Sequence, residues 1–142
     1  SQIDREEKNF PLAPNAVDLL SDKNVVLLPV QDAPHHMMNV YMRAADVLLL
    51  TSKREGSPNV IKEAMACNLP IVSTNVGDVE EQFEGVEGVF ISEFNAQDVA
   101  EKISYALNYN MVQLPENWSD KYDNKSIAFR LRSIYEKVIN KK

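Results

Sequence analysis

Apolar residues along this chain follow two periods in turn. Short unbroken runs are separated by stretches in which apolar positions recur every three or four residues. The runs at residues 25–29, 47–51, 70–73 and 89–91 are bounded by polar residues, Gly or Pro, and predict buried strands. Between them, helical spacing predicts a helix over 11–20, with Ala13, Ala16, Val17 and Leu20 on one face. Pro11 and Pro14 fall in its first turn, where a missing N–H costs little. Further helices are predicted over 36–44, 58–67, 79–83, 96–107 and 125–140, with an irregular stretch around Pro115 and Trp118. Asn68 is expected to end the 58–67 helix in the left-handed conformation, and Gly85 and Gly88 to make turns. Strands alternating with helices over the whole length predict an α/β fold, a doubly wound parallel sheet with helices on both faces.

One element is missing from that pattern. Doubly wound domains open on a strand that feeds the first ligand-contacting loop, yet residues 1–8 are polar. Either that strand lies ahead of Ser1, or the sheet is one central strand short.

Composition narrows the picture. A chain of 142 residues is one domain's worth, with an ordinary apolar share of 44%. A net charge of -6 and the lack of a basic stripe argue against nucleic acid as a partner. The same charge means that any phosphate ligand needs local cations. The single cysteine, Cys67, excludes an intrachain disulfide and reads as a small core residue at a helix end. No apolar run reaches the ~20 residues of a membrane span, and the N-terminus lacks a signal-peptide core. A soluble, cytoplasmic domain is expected.

The chemistry concentrates between residues 47 and 66. An apolar strand runs into Glu55-Gly56-Ser57-Pro58, a turn that opens a helix carrying Glu63. A helix start of this kind presents free backbone N–H groups, here near Ser57, Asn59 and Val60, which suit a phosphate. On the helical wheel Val60, Ile61, Ala64, Met65 and Cys67 face the core, and Glu63 falls at the edge of the apolar arc. A carboxylate there can accept two hydrogen bonds from a vicinal diol such as a ribose. An ordinary surface glutamate has the same spacing, so the residues leave both readings open. Glu55 stands at the mouth of the turn, where carboxylates meet ligands in open α/β sheets, although a solvated loop acid would fit there too. Lys8, with Arg5 three residues earlier, precedes the first helix at the corresponding corner and could serve the same crevice, although taken alone it reads more readily as a surface lysine. An anionic, hydroxyl-rich ligand such as a nucleotide-sugar reconciles acids with a phosphate site. His35 and His36 are adjacent and have no third ligand at useful spacing, so no metal site is expected. No Gly-x-Gly-x-x-Gly or P-loop pattern occurs.

The segments 41–52, Glu55-Gly56-Ser57-Pro58, 63–70 and Val76-Gly77-Asp78 resemble the C-terminal domain of GT-B retaining glycosyltransferases, in the "glycosyltransferases group 1" family. The resemblance runs from about residue 5 to 107 and implies a Rossmann-like domain, one half of a GT-B fold. It implies that Glu63 holds the donor's ribose hydroxyls and that Glu55 contacts the transferred sugar as the catalytic carboxylate. Backbone groups of Gly56, Ser57, Pro58, Asn59 and Val60 would hold the diphosphate. Lys8 matches the family's phosphate-neutralising lysine, Arg5 its arginine more loosely, and Val30 and Gln31 the loop that lines the base. Asp78 replaces the family's second glycine, which leaves Glu81 without a firm role. The resemblance further implies a nucleoside-diphosphate sugar as substrate and no cofactor or metal. A saccharide or lipid-linked acceptor would be held through an N-terminal domain outside this sequence, in an enzyme that is cytoplasmic or peripheral at the membrane. A nucleotide-sugar epimerase or phosphorylase of the same architecture, and a non-catalytic sugar-nucleotide module, are the competing readings.

Overall fold

The computed structural model describes residues 5–123, 125, 128–129 and 131–133. A single 3-10 turn, Glu6–Lys8, leads into helix α1 (Leu12–Asp18), then α2 (His35–Ala44), strand β1 (Leu48–Leu50), α3 (Asn59–Ala66) and β2 (Ile71–Thr74). Helix α4 (Val79–Phe83), β3 (Val89–Ser92), α5 (Ala96–Ala106) and α6 (Trp118–Tyr122) follow. The three strands form one parallel sheet in the order β1-β2-β3, with Leu48 opposite Ile71 and Ile71 opposite Val89.

Alternation along the strands sends side chains to two separate cores. On one face Ile71, with Leu48 and Leu50 beside it, packs against Met42, Ile61, Ala64, Met65, Val79 and Phe83 of α2, α3 and α4. On the other, Val72 with Leu49 and Phe90 packs against Leu12 and Ala16 of α1 and Val99, Ala100 and Ile103 of α5. Helices on both faces of a parallel sheet make this the expected Rossmann-like α/β domain.

The expected strand at residues 25–29 does not form. Val26 is 84% exposed and Leu28 65%, and only Val25 packs against the α1–α5 core. A buried strand must satisfy its backbone in a ladder. Among the described residues this run pairs with no strand, and the outer edge of β1 carries none. A second correction is α6, which lies in the stretch read as irregular, where the Trp118 and Tyr122 rings meet at a tilt of 53° with centroids 5.1 Å apart. Asn68 does end α3 in the left-handed region, at φ 57°. Cys67 is half-buried, against the α2–α4 core. The helix read over 125–140 lies largely outside the described residues.

Candidate functional site

The C-terminal ends of β1 and β2 deliver the candidate residues to one place. Thr51 and Ser52, which follow β1, are both buried. The Thr51 hydroxyl donates to the Lys8 carbonyl at 3.2 Å, and the Lys53 N–H donates to the Glu7 carbonyl at 2.7 Å. These bonds seat the 3-10 turn over the strand end and bring Lys8 to Glu55, 47 positions away: Lys8 Nζ lies 2.6 Å from Glu55 Oε1. The Ser52 hydroxyl donates to the same oxygen at 2.8 Å, so Oε1 is doubly engaged. Oε2 has no described partner and stays available to a ligand.

Glu55 is only 19% exposed. Burial alone would raise its pKa. The hydrogen bonds from Lys8 and then Ser52, with the charge of Lys8, outweigh burial and hold the carboxyl below its ordinary value. It is therefore ionised at neutral pH, in a state suited to accepting hydroxyl donors.

Beyond Glu55, the chain makes a tight crossing. Gly77 has φ 57°, and a Cβ built on it would lie 1.9 Å from the Gly56 carbonyl oxygen. Only glycine allows this approach, which lets the Asp78 N–H donate to that oxygen at 3.2 Å and fixes the turn before α3. Asp78 then reaches across: the Ser57 hydroxyl donates to Asp78 Oδ2 at 2.8 Å, Gln82 Nε2 to Asp78 Oδ1, and Lys62 Nζ to the Ser57 hydroxyl at 2.7 Å. Helix α3 starts after Pro58 with no side-chain cap. Among the described residues the N–H groups of Asn59 and Val60 meet no acceptor, which leaves the positive end of the helix open to an anion.

Glu63 sits four residues into α3, about 6 Å along its axis. Its side chain is 34% exposed, at the edge between core and solvent as the helical wheel requires. His35 Nδ1, at the start of α2, lies 4.0 Å from its carboxylate. Lys8, Glu55, Gly56, Ser57, Pro58, Asn59, Val60 and Glu63 thus belong to one edge of the sheet and the helix start beside it. Arg5 is exposed, and its side chain makes no hydrogen bond or ion pair among the described residues. Val30, half-buried, and exposed Gln31 lie before α2 and are joined to the cluster by no hydrogen bond. Glu81 is also exposed and stands apart from it, its carbonyl accepting from Lys121 at 3.4 Å.

Three participants were not legible as such. Ser52 orients Glu55, Thr74 donates to the Ser52 carbonyl at 2.6 Å, and Asp78 occupies the Ser57 hydroxyl. A hydroxyl pair ending an apolar run, as in Thr51-Ser52, was the available signal for the first. Among the described residues no group of three His, Cys, Asp or Glu side chains converges as a metal site would require. No helix among them is long and apolar enough to cross a membrane.

This geometry can be set beside known proteins. The family model for glycosyl transferases group 1 matches residues 7–109. A Bacillus subtilis protein named "Putative teichuronic acid biosynthesis glycosyltransferase TuaC" is 33% identical over 96 residues, 68% of this chain and 24% of that protein. An N,N'-diacetylbacillosaminyl-diphospho-undecaprenol alpha-1,3-N-acetylgalactosaminyltransferase of Campylobacter jejuni is 32% identical over 104 residues, 69% of this chain and 28% of that protein. A D-inositol 3-phosphate glycosyltransferase of Pseudarthrobacter chlorophenolicus is 35% identical over 95 residues, 66% of this chain and 22% of that protein. No solved structure matches at a significant level. The chain spans about a quarter of the length of these relatives. The matched segment contains Lys8, Glu55, the α3 start and Glu63, and the chain belongs to the glycosyl transferases group 1 family.

Proposed function

We propose that this chain is the donor-binding domain of a retaining glycosyltransferase of GT-B architecture. In that reading it moves a hexose-type sugar from a nucleoside diphosphate to a saccharide or lipid-linked acceptor. The observation that carries it is the junction of Lys8 with Glu55 at the mouth of the uncapped α3 helix, with Glu63 just beyond on the same helix. The diphosphate would lie on the Asn59 and Val60 N–H groups, and Lys8 would turn from Glu55 toward it. Glu55, released from Lys8 but still held by Ser52, would accept hydroxyls of the transferred sugar. Glu63 would take the ribose diol, with Val30 and Gln31 toward the base. The cluster holds two lysines, Lys8 and Lys62, against Glu55, Glu63 and Asp78, so it is short of positive charge for a diphosphate. Arg5, exposed on the same turn as Lys8, is the cation available to make up the difference.

The acceptor would be held by an N-terminal half of the kind that completes a GT-B cleft. Relatives named for a diphospho-undecaprenol-linked sugar and for inositol 3-phosphate favour a lipid-linked or polyhydroxylated acceptor. Without that half, the chain is expected to bind donor but transfer nothing, because positioning of both partners supplies roughly 7–11 kcal/mol of the barrier at best.

Calorimetric titration with a panel of nucleoside diphosphates tests the reading. Binding in the micromolar to millimolar range, about -8 to -4 kcal/mol, is expected with and without EDTA. A strict requirement for Mg²⁺, or no binding to any member of the panel, would count against it.

A further inference from the structure

Farther along the same edge of the sheet, where β2 and β3 end, Asn75, Ile91, Ser92, Glu93, Phe94 and Asn95 line an open cavity of about 600 Å³. It is tied to the cluster around Glu55. Ser92 is in register with Thr74, Thr74 holds the Ser52 carbonyl, and Ser52 holds Glu55. Two interstrand spacings separate the ends of β1 and β3, roughly 10 Å.

The wall of this cavity is unusual in what it leaves unpaired. Ser92 is 4% exposed, and among the described residues its hydroxyl, sealed beneath the cavity floor, has no hydrogen-bond partner, an unfavourable state for a buried polar group. The Glu93 carboxylate makes no hydrogen bond or ion pair among the described residues, although its N–H donates to Asp98 Oδ2 at 2.8 Å. Asn75 uses its amide nitrogen on Glu80, which leaves its oxygen free. Asn95 uses its oxygen to cap α5, accepting from the Asp98 N–H, which leaves its nitrogen free. Beside these groups the Phe94 ring is 52% exposed and Ile91 adds a second apolar wall.

That inventory selects a ligand class. Asp98, Glu80 and Glu93 stand around the cavity and no lysine or arginine lines it, so an anion is disfavoured. A single lining carboxylate is too few for a divalent cation. A wholly apolar ligand would leave the Glu93 carboxylate, the Asn75 oxygen and the Asn95 nitrogen without partners. A neutral molecule with hydroxyls round its rim and an apolar C–H face meets every wall. We propose that this cavity is a saccharide subsite, with a pyranose face on Phe94 and its hydroxyls on Glu93, Asn75 and Asn95. In the transfer reaction proposed above it would hold one sugar of an acceptor otherwise held by the N-terminal half. That assignment rests on the donor-site reading, whereas sugar binding itself does not.

The test is a titration of the ¹⁵N-labelled chain with two neutral trisaccharides, one of glucose and one of N-acetylglucosamine, followed by amide chemical shifts without nucleotide. At least one trisaccharide should move Asn75 and Ser92 to Asn95. Phe94→Ala should weaken it about tenfold, from losing a half-buried aromatic contact. Glu93→Ala removes only an exposed carboxylate without a described partner, so it should keep the native spectrum elsewhere while weakening the sugar. Absence of shifts with both sugars, shifts centred on Ser57 to Glu63, or equal affinity in Phe94→Ala would each overturn the subsite. A nucleoside diphosphate added to the same sample reads the donor site separately, at Lys8, Ser57, Asn59 and Val60. Sugar shifts without nucleotide shifts would keep the subsite and remove its acceptor role. Nucleotide shifts without sugar shifts would keep the donor site and remove the subsite.

Discussion

Gly77→Ala should remove a large part of this domain's stability margin without replacing any side chain proposed to meet a ligand. The new Cβ would stand 1.9 Å from the Gly56 carbonyl oxygen, 2.7 Å from its carbon and 2.9 Å from the Glu55 oxygen. Real Cβ contacts do not come below 3.0 Å, so the two backbone segments must part by more than an ångström. All three atoms are backbone, so no side chain can swing aside. Overpacking of this kind costs about 1–3 kcal/mol. Holding alanine at φ 57° adds roughly 1–2 kcal/mol, because its Cβ crowds the carbonyl in the left-handed region. Separation also stretches the bond from the Asp78 N–H to the Gly56 oxygen, worth about 1 kcal/mol. A loss of about 3–6 kcal/mol follows, against the ~5–15 kcal/mol typical of a whole domain. Urea denaturation followed by circular dichroism measures it by linear extrapolation. Gly56→Ala is the control, since its Cβ would meet nothing within 4 Å, and it should change stability by no more than about 0.5 kcal/mol. A loss below about 1 kcal/mol in Gly77→Ala, or equal losses in both variants, would refute the crossing as a fixed feature of the site.

Glu63→Gln should weaken nucleoside diphosphate binding by about 1–3 kcal/mol, whereas Glu55→Gln should cost more with the intact nucleotide-sugar than with the bare nucleotide. Calorimetry on both variants with both ligands decides this, and identical losses throughout would separate neither role. Glu55 is held below its ordinary value of 4.5, so its ionised form stabilises the fold above that pH, and the contribution disappears as pH falls through the lowered value. Acid denaturation of Glu55→Gln should lack that component, which is no more than about 1 kcal/mol for a single partly exposed pair; a variant curve parallel to the native one would contradict it. Asn95→Ala removes the cap on α5 and should cost about 0.5–2 kcal/mol in the same urea assay, while Asn95→Asp, which can still accept from Asp98 N–H, should recover most of it.

The alternation of apolar runs and helical periods was enough to place β1, β2 and β3 and the helices around them, because each segment's period reports which of its faces meets the core. It also placed Glu63 at the boundary of the α3 apolar arc, where it is found, since the helix repeat fixes which face a residue occupies. Local chemistry likewise read the left-handed end of α3 at Asn68. The same reasoning failed at residues 25–29. An apolar run shows that a segment can be a strand, but a strand exists only where another one pairs with it, and no local pattern carries that information. It failed again at α6, where the tilted contact of the Trp118 and Tyr122 rings joins one turn of helix to the next.

The amino-acid order by itself determined a parallel α/β sheet with helices on both faces, and a carboxylate-rich helix start at the end of its first strand. Tertiary structure decided how that start is wired. Lys8 meets Glu55 across 47 positions only because Thr51 and Lys53 hold the 3-10 turn over the strand end. Asp78 meets Ser57 across 21 positions only because Gly77 lets two backbones cross. Periodicity constrains neighbours within a turn or two of helix, whereas these contacts depend on where the loops of different strands converge once the sheet has formed.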